Sequence, residues 1–296
     1  MTSVVIILKN DLGVIETING LNKQDYKGKF EIIVVDRSTI TYPKFVSKIP
    51  LRWINFDAKG KKYTIPEQRN EGIKQSKGEI VAFIDASCVP NKNWLTEIVK
   101  PIEEQGEKMV MGKTGSVGSS TLNDLAYKKL ENTKYVTEAP TINLAITKEV
   151  FEKVGLFDTD LEYGSDVDFT WRAVERRIKI KYQKTAFIVH NWGVAKEEVK
   201  RTTLYGKARA RILIKHFRTH WKNLLGKDSP VILYPTLILL LPLTIIFPWY
   251  PIVFVLLVIK NIKEPNPAGI VLKHIIYGWG VLIELKDQLI KWLKKH

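Results

Sequence analysis

Short apolar runs alternate with mixed segments through the first two thirds of the chain. Ser3–Leu8, Glu31–Val35 and Glu79–Ile84 are rich in apolar residues on both faces and stop abruptly at polar residues. Runs of this length and kind read as buried central strands. Between them, Val14–Lys23 and Pro66–Ser76 read as helices, with Asp11 as candidate N-cap of the first and Gly78 as the stop of the second. Arg52–Phe56 reads as a peripheral strand. Strand, helix and strand at this spacing predict an α/β fold built from βαβ units around a largely parallel sheet. Further on, Trp94–Glu104 predicts a helix, Lys108–Gly112 a strand, Thr114–Thr121 a Gly/Ser-rich mobile loop and Leu122–Tyr135 a helix. Thr141–Thr147 predicts a strand and Lys148–Val154 a short helix closed by Gly155. Asp166–Arg177 predicts a helix with acids in its first turn and arginines in its last, as the helix dipole favours. Ile178–Tyr182 and Ala186–His190 predict two closing strands.

The pattern then changes. Residues 196–227 hold many Lys and Arg and few acids, and Val231–Ile259 has no charged residue. That run exceeds the roughly 20 apolar residues a bilayer span needs. Pro235, Pro242, Pro248 and Pro251 interrupt it, so a kinked span or hairpin-like insertion is expected rather than a straight rod. Ala268–Lys295 is apolar with Lys273, Glu284, Asp287, Lys291 and Lys295 near one stripe. It is either a second span or an amphipathic helix lying in the interface. The bland alternative for Val231–Ile259 is a core hairpin of a soluble protein. The expected division is an α/β domain over 1–195, a basic juxtamembrane helical segment over 196–229 and a membrane-associated hydrophobic region over 230–296. If both segments span, their basic flanks put the first domain on the cytoplasmic side of the cell membrane.

Charge and cysteine narrow the chemistry. The 296 residues carry a formal net charge of +15 and one cysteine, Cys88. An intrachain disulfide is therefore excluded, and anionic partners are expected: phosphorylated small molecules, acidic lipid or nucleic acid. The basic residues cluster beside an apolar segment and no nucleic-acid motif is present, which argues against the last. The opening MTSVVIILKN lacks the basic start of a secretory signal and reads as a first strand. Asp36, Asp85, Asp166 and Asp168 stand at predicted strand ends or helix starts. Singly, each is more often a cap or a turn former than a ligand. Around one sheet they suggest a shared site, and neighbouring carboxylates are tolerated where a divalent cation or cationic substrate sits among them. Arg69 is a candidate phosphate contact, with a plain surface charge as the alternative.

The ordered set of segments resembles the family 2 glycosyltransferases with the GT-A fold, over roughly Thr2–His190. SVVIILKND resembles their nucleotide-binding strand and IIVVDRST the strand whose terminal Asp, here Asp36, receives the base or ribose. PEQRNEGIKQSKGEIVAFIDASCVP resembles the helix and strand leading to their Asp-X-Asp metal motif. NLAITKEVFEKVGLFD with GSDVDFTWR resembles the acceptor side, where an Asp at a helix start acts as base. IKIKYQKTAFIVH resembles the closing strands with a terminal His. The resemblance implies Asp166 as base, Asp36, Arg69, Asp85 and Ser87 on a nucleotide-sugar donor, and Asp85 and His190 on Mg2+ or Mn2+. It also admits Asp168, Lys207, Arg209 and Arg211 as acceptor or phosphate contacts, a membrane-facing basic helix being the alternative for the arginines. Implied is an inverting transfer to a hydroxyl or phosphate of a lipid-linked or glycan acceptor at a membrane. Two departures stand out: the motif reads Asp85-Ala86-Ser87, and the acidic pair before the helix reads Ser165-Asp166. Metal affinity is then expected to lean on the donor's pyrophosphate, and a non-catalytic sugar-nucleotide or lipid-binding protein is the alternative reading.

Overall fold

A computed structural model describes residues 1–43, 46–56, 64–117, 127, 130–192 and 195–295. The chain forms two compact units, Met1–Gly118 with Asn123–Trp192, and Gly193–His296 with Ser119–Leu122.

The first unit is one mixed sheet flanked by helices. Its strands are β1 (Thr2–Leu8), β2 (Phe30–Asp36), β3 (Leu51–Asn55), β4 (Ile80–Ile84), β5 (Cys88–Pro90), β6 (Met109–Val117), β7 (Tyr135–Val136), β8 (Asn143–Thr147) and β9 (Ile180–Asn191). Its helices are α1 (Val14–Leu21), α2 (Ile65–Gln75), α3 (Trp94–Gln105), α4 (Lys148–Val154) and α5 (Ser165–Glu175). The order β3-β2-β1-β4-β8-β6-β9-β5 puts β1 in the interior, and β7 pairs with β9. Strands β1 to β4 pair parallel, Leu8 opposite Asp36 and Val5 opposite Phe83. Strand β8 runs antiparallel to both β4 and β6. Every residue of β2 and β4 is buried, which is why those runs read as apolar on both faces.

Several predicted elements change on inspection. The Asp11 side chain does not occupy the N-cap of α1: Gly13 holds that position, and Asp11, two residues ahead of it, instead accepts the Gly13 N–H at 2.9 Å. Thr114–Val117, predicted as loop, belongs to β6, which resumes pairing with β9 after a register shift between Gly112 and Lys113. The two predicted closing strands are one, β9. Cys88–Pro90 forms the short strand β5 against it. Half of the helix predicted over Leu122–Tyr135 lies outside the described residues; of the rest Tyr127 is helical, residues 130–134 are turn and irregular chain, and Tyr135 starts β7.

A buried polar hub joins α3 to the sheet. Trp94 Nε1–H donates to Asn143 Oδ1 at 2.8 Å. Asn143 Nδ2–H donates to the carbonyls of Lys113 at 2.9 Å and Ala186 at 3.0 Å. Asn143→Ala leaves an indole donor and two carbonyls short of these bonds. At about 1–3 kcal/mol for each buried unsatisfied group, we expect a loss of about 3 kcal/mol or more. Thermal unfolding checks this as a fall of several degrees in midpoint.

The second unit is helical: α6 (Ala195–Lys215), short turns through Leu225, α7 (Pro230–Leu239), a 3-10 turn (Leu241–Ile245), α8 (Ile252–Lys260) and α9 (Pro267–Leu293). The uncharged run is thus no continuous span. Proline removes a helix donor and clashes with the preceding turn, and Pro242, Pro248 and Pro251 fall where the run breaks into pieces of ten residues or fewer. Among the described residues, Pro267–Leu293 is the one helix long and apolar enough to cross a membrane, by length and composition. Its polar stripe faces α6: Lys273 pairs with Glu198 at 2.5 Å, Glu284 with Arg211 at 2.8 Å and Asp287 with Lys207 at 2.9 Å. The backbones meet closely at Gly280, where a Cβ would lie 2.1 Å from the Thr203 carbonyl oxygen.

Candidate active site

Strand order decides where side chains can gather. From β1 the chain goes to β2 on one side, and β4 lies on the other. The loops after β1 and β4 therefore diverge at a switch point, where open α/β sheets hold their ligands beyond the strand carboxyl ends. Asp36 ends β2, Asp85 follows β4 and Asp11 follows β1.

Asp85 is the electrostatic centre of this edge. Burial pushes its carboxyl above the ordinary carboxylate range. Arg69 and His190 act against that rise, while Asp166 and Asp11 add to it. Desolvation disfavours the charged form, neighbouring cations favour it and neighbouring anions oppose it. Four residues from distant parts of the sequence therefore act on Asp85 at the end of β4.

Each is held by its own surroundings. Helix α2 begins with a capping box, Thr64 and Glu67 bonding reciprocally. It presents Arg69, a buried guanidinium that donates to Ser165 Oγ at 3.2 Å and lies over the Phe157 ring at 5.8 Å. One residue earlier, Gln68 Nε2–H donates to the carbonyls of Leu8 and Val35, tying together the ends of β1 and β2. Asp166 stands in the first turn of α5, accepting from Val167 N at 2.9 Å and Thr141 N at 3.4 Å. Asp36 is buried and accepts from Ser38 N at 2.8 Å and Trp53 Nε1 at 3.0 Å. His190 stands opposite Cys88 across the β5–β9 pair and against the Trp192 ring, centroids 4.4 Å apart. Ser87 sits at φ 60°, the left-handed region that side chains seldom adopt. It donates to Asp11 Oδ1 at 2.7 Å.

Other candidate contacts have ion-pair partners of their own. Asp168 is fully buried and pairs with Arg172 at 2.9 Å. Arg172 in turn donates to the carbonyls of Val154 and Leu156. Asp168 therefore fixes the loop after α4, which corrects its reading as an acceptor contact. In the second unit Lys207 pairs with Asp287, Arg209 with Asp228 at 3.6 Å and Arg211 with Glu284. Asp11 is the residue the sequence reading left out of the site. It follows β1 as Asp85 follows β4, so the strand-end rule that singled out Asp85 applies to it equally.

The model of glycosyl transferase family 2 matches residues 3–157, just over half of the chain. The chain belongs to glycosyl transferase family 2. AglE, a glycosyltransferase of Haloferax volcanii, is 27% identical over 222 residues, covering 71% of this chain and 73% of that protein. The mannosyltransferase PcManGT of Pyrobaculum calidifontis, solved with GDP-Man and Mn2+, covers 97% of this chain and 87% of its own at 15% identity and a TM-score of 0.68. TarS of Staphylococcus aureus covers 74% of this chain at 18% identity and a TM-score of 0.51, and the match spans only 44% of TarS. At such identities these structures speak for the fold, which is GT-A. The family's members are glycosyltransferases, and sugar transfer is the reaction class of this chain.

The fold family implies a divalent cation, and the donor set at this edge fits one. Carboxylate oxygens and an imidazole suit Mg2+ or Mn2+, and Asp85 and His190 provide them within electrostatic reach of each other.

Proposed function

We propose that the chain transfers a sugar from a nucleotide-sugar donor to a lipid-linked or glycan acceptor by single displacement, inverting the anomeric centre. The convergence of Asp85, Arg69, His190 and Asp166 on one strand end carries this reading. Asp36 meets the base or ribose at the end of β2. Arg69 faces the diphosphate: its guanidinium is buried with a neutral hydroxyl as hydrogen-bond partner, so an anion gives it the charge-assisted bond that Ser165 does not. Asp166 accepts the proton of the acceptor hydroxyl as the new bond forms. Asp85 and His190 would hold the cation, which when bound offsets the charge of the departing nucleoside diphosphate. The GDP-Man and Mn2+ of PcManGT support a donor and ion of this kind.

We place the reaction at the cytoplasmic face of a membrane, with an acceptor presented there. Ile246, Phe247, Trp249, Val255 and Leu256 are exposed apolar residues of the second unit, and Trp279 and Trp292 of α9 are exposed as well. A basic, aromatic-bearing unit of this kind suits an anionic bilayer surface. The second reading, a donor-binding protein without transfer, is favoured by Ser87 and Ser165 standing where the family's carboxylates are expected.

The test is a thermal-shift panel of sugar nucleotides with and without Mn2+, followed by donor turnover with lipid acceptors. A ligand at 100 times its Kd stabilises by about 2.7 kcal/mol. No stabilisation by any sugar nucleotide removes the donor site. Stabilisation without turnover favours the second reading.

A further inference from the structure

We infer that Asp11 supplies the second carboxylate of the cation and diphosphate site, in place of the acid missing at Ser87. This rests on the proposed donor chemistry above. Asp11 and Asp85 come from the two loops that diverge at the switch point, one after β1 and one after β4. Ser87 joins those loops: its hydroxyl donates to Asp11 Oδ1 at 2.7 Å. The chain makes room for this contact. Gly13 lies against Ser87 so closely that a Cβ there would fall 1.9 Å from Ser87 Oγ. The position that lost its carboxylate is therefore hydrogen-bonded to another one, brought in from the neighbouring strand end.

The plainer role for Asp11 is the turn before α1, and it accounts for one oxygen. Oδ1 accepts from Gly13 N at 2.9 Å and from Ser87. Oδ2 has no hydrogen bond from the described residues. A turn needs an oxygen acceptor but no charge, and Asn serves as well as Asp in such turns. Asp11 instead presents a second oxygen, Oδ2, beside the Ser87 contact. Two neighbouring carboxylates repel each other, and a cation between them relieves that repulsion. The hard oxygen donors that Mg2+ and Mn2+ prefer are then two carboxylates again, as in an intact Asp-X-Asp motif.

Asn at position 11 separates charge from turn. Mn2+ titrations of the full-length protein, followed by electron paramagnetic resonance, compare the parent, Asp11→Asn, Ser87→Asp and the double variant. Asp11→Asn is expected to weaken Mn2+ binding about tenfold or more with an unchanged thermal midpoint, because Asn Oδ1 keeps the bonds to Gly13 and Ser87. The double variant, which returns the carboxylate to position 87, is expected to regain parental affinity. Equal affinity in parent and Asp11→Asn overturns the inference, as does a parent that binds no Mn2+ or a double variant that stays weak. Donor turnover measured alongside keeps the two ideas apart. An active enzyme whose Mn2+ affinity ignores Asp11 loses this assignment and keeps its transferase chemistry.

Discussion

Asp166→Asn is expected to slow sugar transfer by about 10²–10⁴-fold, the usual contribution of a positioned general base. Asparagine keeps the size of the side chain and an oxygen that accepts from Val167 N, so the start of α5 is preserved. Donor affinity and thermal midpoint should therefore stay near the parental values, and the loss should fall on kcat. Initial rates over a range of acceptor concentrations separate these effects. A variant that transfers at the parental rate would show that the acceptor proton leaves by another group.

Asp85→Asn is expected to abolish transfer and, at the same time, to stabilise the ligand-free protein. The folded carboxyl lies above its ordinary value, chiefly through burial, with Asp166 and Asp11 adding to the rise. Such a group binds its proton more tightly in the folded chain than in the unfolded one. Folding stability then falls as pH rises from the ordinary Asp value, about 3.9, to the raised folded value. The penalty is present at neutral pH. Asparagine carries no such penalty, so its advantage in thermal midpoint should be present at pH 7 and shrink toward pH 4. Calorimetric scans across that range read the difference directly. A lower midpoint at pH 7 would mean that the carboxylate itself supports the fold. Loss of function with gain of stability is the pattern expected of a site held under electrostatic load.

The sheet was legible because its central strands are buried on both faces. Ile32–Val35 and Ile80–Ile84 admit hardly a polar residue, and their carboxyl ends carry Asp36 and Asp85 where a ligand-binding edge requires them. The later strands were harder to read. Thr114–Val117 is polar and glycine-rich, and only pairing with β9 after a register shift makes it a strand. Sequence spacing cannot see a partner seventy residues away. The same limit hid the hydrogen bond from Ser87 to Asp11, so a motif that looks half empty along the chain has its acid nearby in space. Asp168 erred in the opposite direction. Acid in the first turn of a helix signals a ligand or a structural bond equally, and Arg172 one turn later decided for the bond. In the C-terminal third, Pro242, Pro248 and Pro251, which the sequence marks as interruptions of Val231–Ile259, fall where that run breaks into short helices.

The ladder of charges between α6 and α9 bears on how this chain can be divided. Glu198, Lys207 and Arg211 on one helix find Lys273, Asp287 and Glu284 on the other, and Glu284 is fully buried. Removing one partner of a buried pair costs about 3–5 kcal/mol. A shortened chain ending anywhere between α6 and α9 therefore keeps a long basic helix stripped of its counter-charges, an adhesive remnant that would aggregate or bind nucleic acid indiscriminately. The clean place to cut is ahead of α6, so that both helices leave together.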